Sequence, residues 1–490
     1  MDVIRAIAEF LVEQVLSQPF YLVGLMTAVG LIALRKRAGD VIGGALKATL
    51  GFLILVVGAT TVVNALTPLG NLILGATGAQ GVVPTNEAIV ALAQESYGPV
   101  VAWTMITGFL VSLLIARITP LRYVFLTGHH IFFMATMIAV ILVTVGYSPL
   151  VSVLAGSVLL GAIMVAMPAF THPWMKKVTG GERVAMGHFG SLGYILGGLS
   201  GQAVGKGSKS TEEMKFPQGL GFLREPMVAT AVSMVIIYLI FGITYAARAG
   251  LGPVVEALGL DASTTWGSYV MFNILQALNF GVGVALILYG VRTILGEIVP
   301  AFAGIAERIV PGALPALDCP VAFPYAPNAV IIGFLASVAG GLISLALISV
   351  WLGAALGLAL ILPGMVPHFF TGGTAGVFGN ATGGRRGAIA GGFVNGVLIT
   401  FLPAFLLFVL GDLGFANTTF GDADFGWYGI VVGQGAQVAG TIGLVVLGAI
   451  VGAVVAAASW FQRRLVETGW VPGGAVVTVP EAKARSKTTA

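Results

Sequence analysis

Residues 122–170, RYVFLTGHHIFFMATMIAVILVTVGYSPLVSVLAGSVLLGAIMVAMPAF, decide the fold. Arg122 is the sole Lys, Arg, Asp or Glu in the run. Two stretches in it, 122–146 and 149–170, each supply the about 20 mostly apolar residues that a helix needs to cross a bilayer. Read outward, the same criterion marks spans at 19–35, 44–66, 98–117, 227–248, 268–293, 328–350, 388–411 and 428–460, and 351–363 is a shorter apolar piece that completes another. The chain reads as an all-α polytopic membrane protein with about eleven transmembrane helices.

Composition agrees. Of 490 residues, 57% are hydrophobic and 9% are charged, against about 25% charged in soluble domains. A soluble protein of this length could not hide so much apolar surface from water. The net charge of +4 does not point to nucleic acid, because the basic residues sit in short loops beside apolar spans, where topology rules place them. The lone cysteine, Cys319, rules out an intrachain disulfide and reads as a small buried hydrophobe.

Residues 1–18, with Asp2, Arg5, Glu9 and Glu13, read as an amphipathic helix lying in the interface. The transmembrane domain then covers 19–462, and 463–490 is polar and aperiodic, a disordered tail. Arg35, Lys36 and Arg37 follow the first span, and Arg463 and Arg464 follow the last. That places the N-terminus outside and the C-terminus in the cytoplasm, which requires an odd number of crossings.

Two segments do not read as plain spans. Residues 187–205 and 366–384 are dense in Gly, Ser, Thr and aromatics. Irregular backbone at membrane depth survives only where protein or a cavity surrounds it, so these are expected to be re-entrant hairpins, with extramembrane loops as the alternative. A faint internal repeat accompanies them. Residues 51–66 echo 290–305, Tyr97-Gly98-Pro99 echoes Tyr325-Ala326-Pro327, and His129 with Phe132 and Phe133 echoes His368-Phe369-Phe370. Inverted repeats with the substrate site between them are common in transporters.

Ionisable groups inside apolar sequence cost about 2.5–3.5 kcal/mol on insertion scales and mark sites by default. Asp318 lies in PGALPALDCP, 311–320, where prolines break any helix. It is a candidate hydroxyl acceptor or proton site, or else a local helix cap. All five histidines, His129, His130, His172, His188 and His368, fall in or beside apolar segments. Imidazole both donates and accepts, which suits a polyhydroxylated ligand. A metal is less favoured: adjacent His129 and His130 point about 100° apart on a helix, and no H-E-x-x-H pattern occurs. Thr85-Asn86-Glu87 is a third polar cluster, at the repeat position corresponding loosely to Asp318, and Glu87 reads equally well as a solvated loop charge.

The stretches LTGH (126–129), MGH (186–188), IVPGA (309–313) with LDC (317–319), APNAV (326–330), PGMVP (363–367) and GVF (376–378) resemble the ascorbate-specific EIIC membrane subunits of the phosphotransferase system. The resemblance runs from about residue 15 to 460. It implies a homodimer in a bacterial cell membrane, with a mobile core domain that holds the sugar and a scaffold domain that dimerises. It implies delivery of the sugar to a separate EIIB protein, itself supplied by EIIA, and no cofactor or metal. Ligand positions carried over by the resemblance are Thr85, Asn86, the run His129, His130, Ile131, Phe132 and Phe133, then His188, Phe189 and Asp318. The family has glutamine where this chain has Phe133 and Phe189, so an ascorbate-like acidic sugar other than ascorbate is open. The loop 206–226 is a candidate EIIB docking surface or a plain solvated loop. The alternatives are a secondary transporter or facilitator of the same fold, an intramembrane enzyme, for which no nucleophile–base pair is evident, and a passive channel.

Overall fold

The computed structural model describes residues 19–214, 226–411, 413, 417–438 and 440–473. The interfacial helix expected over 1–18, residues 215–225 of the expected docking loop and the tail beyond 473 lie outside these residues. In order, the elements are α1 (Pro19–Ala33), α2 (Ala38–Thr77), β1 (Gly81–Pro84), α3 (Asn86–Ile118), β2 (Tyr123–Phe125), α4 (Gly128–Thr144), α5 (Pro149–Thr179), β3 (Ala185–Met186) and α6 (Ser191–Val204). They continue with α7 (Pro226–Ala249), α8 (Leu251–Ala257), α9 (Trp266–Ile309), β4 (Leu314–Leu317), α10 (Pro327–Leu347), β5 (Leu360–Ile361), α11 (Gly373–Leu406), β6 (Thr418–Thr419), α12 (Ala423–Ala436) and α13 (Thr441–Phe461).

Among the described residues eight helices are long and apolar enough to cross a membrane, and Val23–Ile32 and Gly128–Thr144 are shorter apolar helices beside them. The protein is therefore an all-α, multi-pass membrane protein. Several expected spans differ in detail. The run 122–146 holds strand β2 and the 17-residue α4 rather than one long helix, and 351–363 divides between the end of the helical stretch Pro327–Leu356 and strand β5 rather than completing a span. The run 428–460 is not one helix, because α12 ends near Ala436 and α13 begins at Thr441 after Gly440, at φ +59°. A hydropathy run cannot register a glycine turn between two apolar helices. The span expected over 388–411 begins earlier. The helical path from His368 through α11 turns back at Gly383 and Gly384 (φ −144° and +59°), so 366–384 is the first arm of a helical hairpin. A Cβ on Gly379 would lie 2.1 Å from the Gly387 carbonyl oxygen, which only two glycine-lined arms in backbone contact permit. The other glycine-rich segment, 187–205, forms α6, a 14-residue helix too short to span. It packs on α11, as does α10, while α9 packs on α2 and α3 on α5.

The six strands explain how the halves fit. β1 is the centre of a parallel sheet between β5 and β6, and β4 is the centre of a second between β2 and β3. β1 starts at 81 and β4 at 314, β2 at 123 and β5 at 360, β3 at 185 and β6 at 418, offsets of 233, 237 and 233 residues. Each half of the chain thus supplies the middle strand of the other half's sheet. The strand offsets agree with only part of the sequence echo. Pro99 lies inside α3 whereas Pro327 opens α10, so those two prolines are not equivalent. By the strand offset Thr85 matches Asp318, and each is the cap residue at the start of the next helical segment.

Of the expected tail, residues 463–473 pack back. The Trp470 ring meets Trp174 edge-on, and Lys177 Nζ donates to the Pro472 carbonyl at 2.5 Å. In the 206–226 loop, Glu212 accepts from the backbone N–H groups of Asn328 and Ala329, so this residue caps the N-terminus of α10.

Candidate functional site

The ends of the short strands converge on one cavity. Asp318 follows β4, and its Oδ1 accepts from the Cys319 N–H at 2.7 Å, so the capping role anticipated for it is real. The rest of the carboxylate is turned to the cavity. His129 Nε2 lies 3.4 Å from Oδ2, and His188 Nε2 lies 3.8 Å from Oδ1. His129 and His130 sit in the first turn of α4, just after β2, and His188 sits just after β3. Pairing of β4 with both strands is what gathers the three imidazoles around one carboxylate.

The tautomers follow from backbone donors. The Phe189 N–H donates to His130 Nδ1 at 3.3 Å, and the Gly190 N–H donates to His188 Nδ1 at 3.0 Å. Each neutral ring then carries its proton on Nε2. His130 Nε2 faces Asp422 Oδ2 at 3.9 Å, and His188 Nε2 faces Asp318. Both rings are therefore donors, and neither offers a lone pair from Nε2 to a cation. The adjacent pair, expected to point about 100° apart, instead converges: ligand atoms of His129, His130 and Asp318 lie within 4.8 Å of one another, because the rings lean together with centroids 4.8 Å apart. Donor chemistry, rather than direction, disfavours a metal.

Behind this layer the loop after β6 is locked. Asn86 donates to Asp422 Oδ2 at 2.9 Å and accepts from the Gly421 N–H at 2.7 Å. Asp424, fully buried, accepts from the N–H groups of Ser191 at 2.8 Å and Leu192 at 3.0 Å and from Trp427 Nε1 at 2.9 Å. It thereby fixes the start of α6 beside His188. Asp424→Ala orphans three donors, one buried and two half-buried, and is expected to cost about 3 kcal/mol. Thermal unfolding of the purified protein measures it; an unchanged midpoint contradicts this role.

The cavity holds about 200 Å³. Of the expected site residues, Asn86, His129, His130, Phe133, His188 and Asp318 line it. Four do not. Thr85 borders a separate small hollow beside Pro363 and Met365. Ile131 is packed in the apolar core, Phe132 faces an apolar pocket with Gln94, and Phe189 is fully buried and stacked on Phe125 at 4.8 Å. Only one of the two phenylalanines that stand where glutamine was expected, Phe133, therefore touches the cavity. His368 is also elsewhere, in a buried knot with its Nδ1 2.7 Å from Ser337 Oγ.

Two ionisable lining residues escaped the sequence reading: Arg292 and Asp422. Of the two readings open for Glu87, the solvated loop charge does not hold: the residue is 6% exposed and lines the cavity. Asp422 lies in the β6 loop, and the 233-residue offset relating β3 to β6 matches it to Phe189; that repeat was the signal available. Arg292 lies within α9 and is the one Lys or Arg among the lining residues. His129, Arg292 and Asp318 also line an outer vestibule of about 520 Å³.

Comparison with known proteins agrees with this architecture. The family described as EIIC-GAT, PTS system sugar-specific permease component, matches residues 14–424. The chain is also 26% identical over 432 residues to the "Ascorbate-specific PTS system EIIC component" of Mycoplasma pneumoniae, an alignment covering 79% of this chain and 65% of that relative. The chain thus spans just under two thirds of the relative's length. A match across most of the chain, on a multi-pass helical fold whose strand ends meet at a polar cavity, shows that the chain belongs to the EIIC-GAT family of PTS sugar-specific permease components.

Proposed function

We propose that the protein is the membrane permease subunit of a sugar phosphotransferase system. It binds ascorbate or a related acidic sugar and translocates it for phosphorylation by a separate EIIB protein, which EIIA supplies. The observation that carries this reading is Asp318, 3.4 Å from His129 and 3.8 Å from His188, in a cavity that Arg292 also lines. A carboxylate accepts from ring hydroxyls, fixed Nε2–H groups donate to ring oxygens, and a guanidinium balances an acidic ligand. A volume near 200 Å³ falls below the about 300–1,000 Å³ of sites for drug-sized molecules, and suits one sugar ring. Phe133 gives that ring an apolar wall in place of an amide. In this reading the subunit forms a homodimer, with the N-terminus outside, the C-terminus in the cytoplasm, and a core that moves against a scaffold.

The purified protein is expected to bind ascorbate saturably, and Arg292→Gln to weaken that binding about tenfold with little effect on a neutral sugar. Titration calorimetry reads both, and no saturable ascorbate binding in the unmodified protein rejects ascorbate itself and leaves a related acidic sugar. One observation favours a second reading: the buried carboxyl groups Glu87 and Asp422 line the same cavity, as proton coupling in a secondary transporter requires. Uptake that depends on phosphoenolpyruvate separates the first reading from the second.

A further inference from the structure

A second cavity, of about 780 Å³, lies where α3, α5 and α13 end, and its chemistry is that of an anion site. Arg117, Arg122, Lys176, Arg183 and Arg463 line it against two carboxylates, Glu182 and Glu467. Helix C-termini carry about half a negative charge each, so part of this positive charge answers three helix ends. An excess remains. Among the described residues the side chains of Arg117, Arg122 and Arg463 have no hydrogen bond or ion pair, and all three are exposed. Positive loop ends alone account for basic residues at the membrane edge; they do not account for guanidiniums converging on one concave space.

The position is as telling as the charge. Leu314, at the start of β4, borders this basic cavity, whereas Leu317 and Asp318, at its end, border the vestibule of the candidate sugar site. Around β2, Arg122 and Tyr123 at its start border the basic cavity, and Leu126 to His129, which follow its end, border the vestibule. One short strand, roughly 10 Å at about 3.3 Å per residue, therefore separates the guanidinium cluster from the sugar carboxylate. Guanidinium is the side chain that matches a phosphoryl group with paired hydrogen bonds.

We propose that this cavity receives a phosphoryl group carried on a soluble protein, holding the phosphorylated partner in register with the sugar site. It rests on the permease reading above for the nature of the partner, and differs from the 206–226 loop as a docking place. The test uses the full chain in nanodiscs of neutral phosphatidylcholine, with a phosphoserine hexapeptide and its unphosphorylated twin as probes. The phosphopeptide is expected to bind at least about tenfold more tightly, and the double variant Arg122→Gln, Arg463→Gln to lose about 100-fold, one tenfold step for each charge-assisted contact. Its thermal midpoint and ascorbate affinity are expected to stay unchanged. Equal binding of the two peptides, or an unaffected double variant, overturns the proposal. So does inorganic phosphate binding as tightly as the phosphopeptide, which makes the site one for a free anion, or binding seen only when phosphatidylglycerol is added, which makes it a lipid site. If ascorbate fails to bind while the phosphopeptide binds and the double variant does not, the permease substrate reading falls alone and the phosphoryl site stands.

Discussion

Asp318→Ala is expected to lower the affinity for the proposed sugar ligand by at least about 100-fold, with little change in folding. A hydrogen bond to a charged group contributes about 1.5–3 kcal/mol, and this carboxylate has cavity-facing acceptor capacity for two ring hydroxyls beyond its bond to the Cys319 N–H. The side chain is 37% exposed, so removing it leaves no sealed void. Two imidazoles lose the carboxylate they face at 3.4 and 3.8 Å. Asp318→Asn separates the roles, because the amide oxygen still caps Cys319 while the charge is gone. If binding to the alanine variant falls less than tenfold in calorimetry, the focal role of Asp318 is wrong.

The second large effect is on folding. α10 and α11 meet backbone to backbone. A Cβ at Gly396 would lie 1.9 Å from the Ser337 carbonyl oxygen, and one at Gly392 would lie 2.2 Å from that of Gly333. Backbone carbonyls cannot rotate aside as the end of a flexible side chain can. Gly396→Leu is therefore expected to cost about 3 kcal/mol, the upper end of the usual overpacking range, and to lower the thermal midpoint by about 5 °C. Gly43, with nothing within 4 Å of its notional Cβ, is the control: Gly43→Leu is expected to leave the midpoint in place. Equal behaviour of the two variants contradicts the close-contact account.

Much of this was legible in the residues. Long apolar runs such as 149–170 became helices because lipid-depth backbone has few other ways to satisfy its polar groups. His129, His188 and Asp318 stood out because ionisable groups in such runs are costly. What remained hidden was set by distance along the chain. Arg292 reads as the end of a span until α9 is seen to line the same cavity as the histidines. Asp422 reads as a loop charge until β6 pairs with β1. Phe189 illustrates the opposite error: motif position put it at the ligand, and stacking on Phe125 puts its ring behind the site.

The exchanged middle strands have a consequence for how the protein is made. While the ribosome is still translating the first half, the N–H and C=O groups of 81–84 have no partners, because those partners are residues 360–361 and 418–419. Unpaired backbone groups in lipid are costly. The newly inserted first helices must therefore stay loosely assembled, with this segment kept hydrated or sheltered, until nearly the entire polypeptide has emerged.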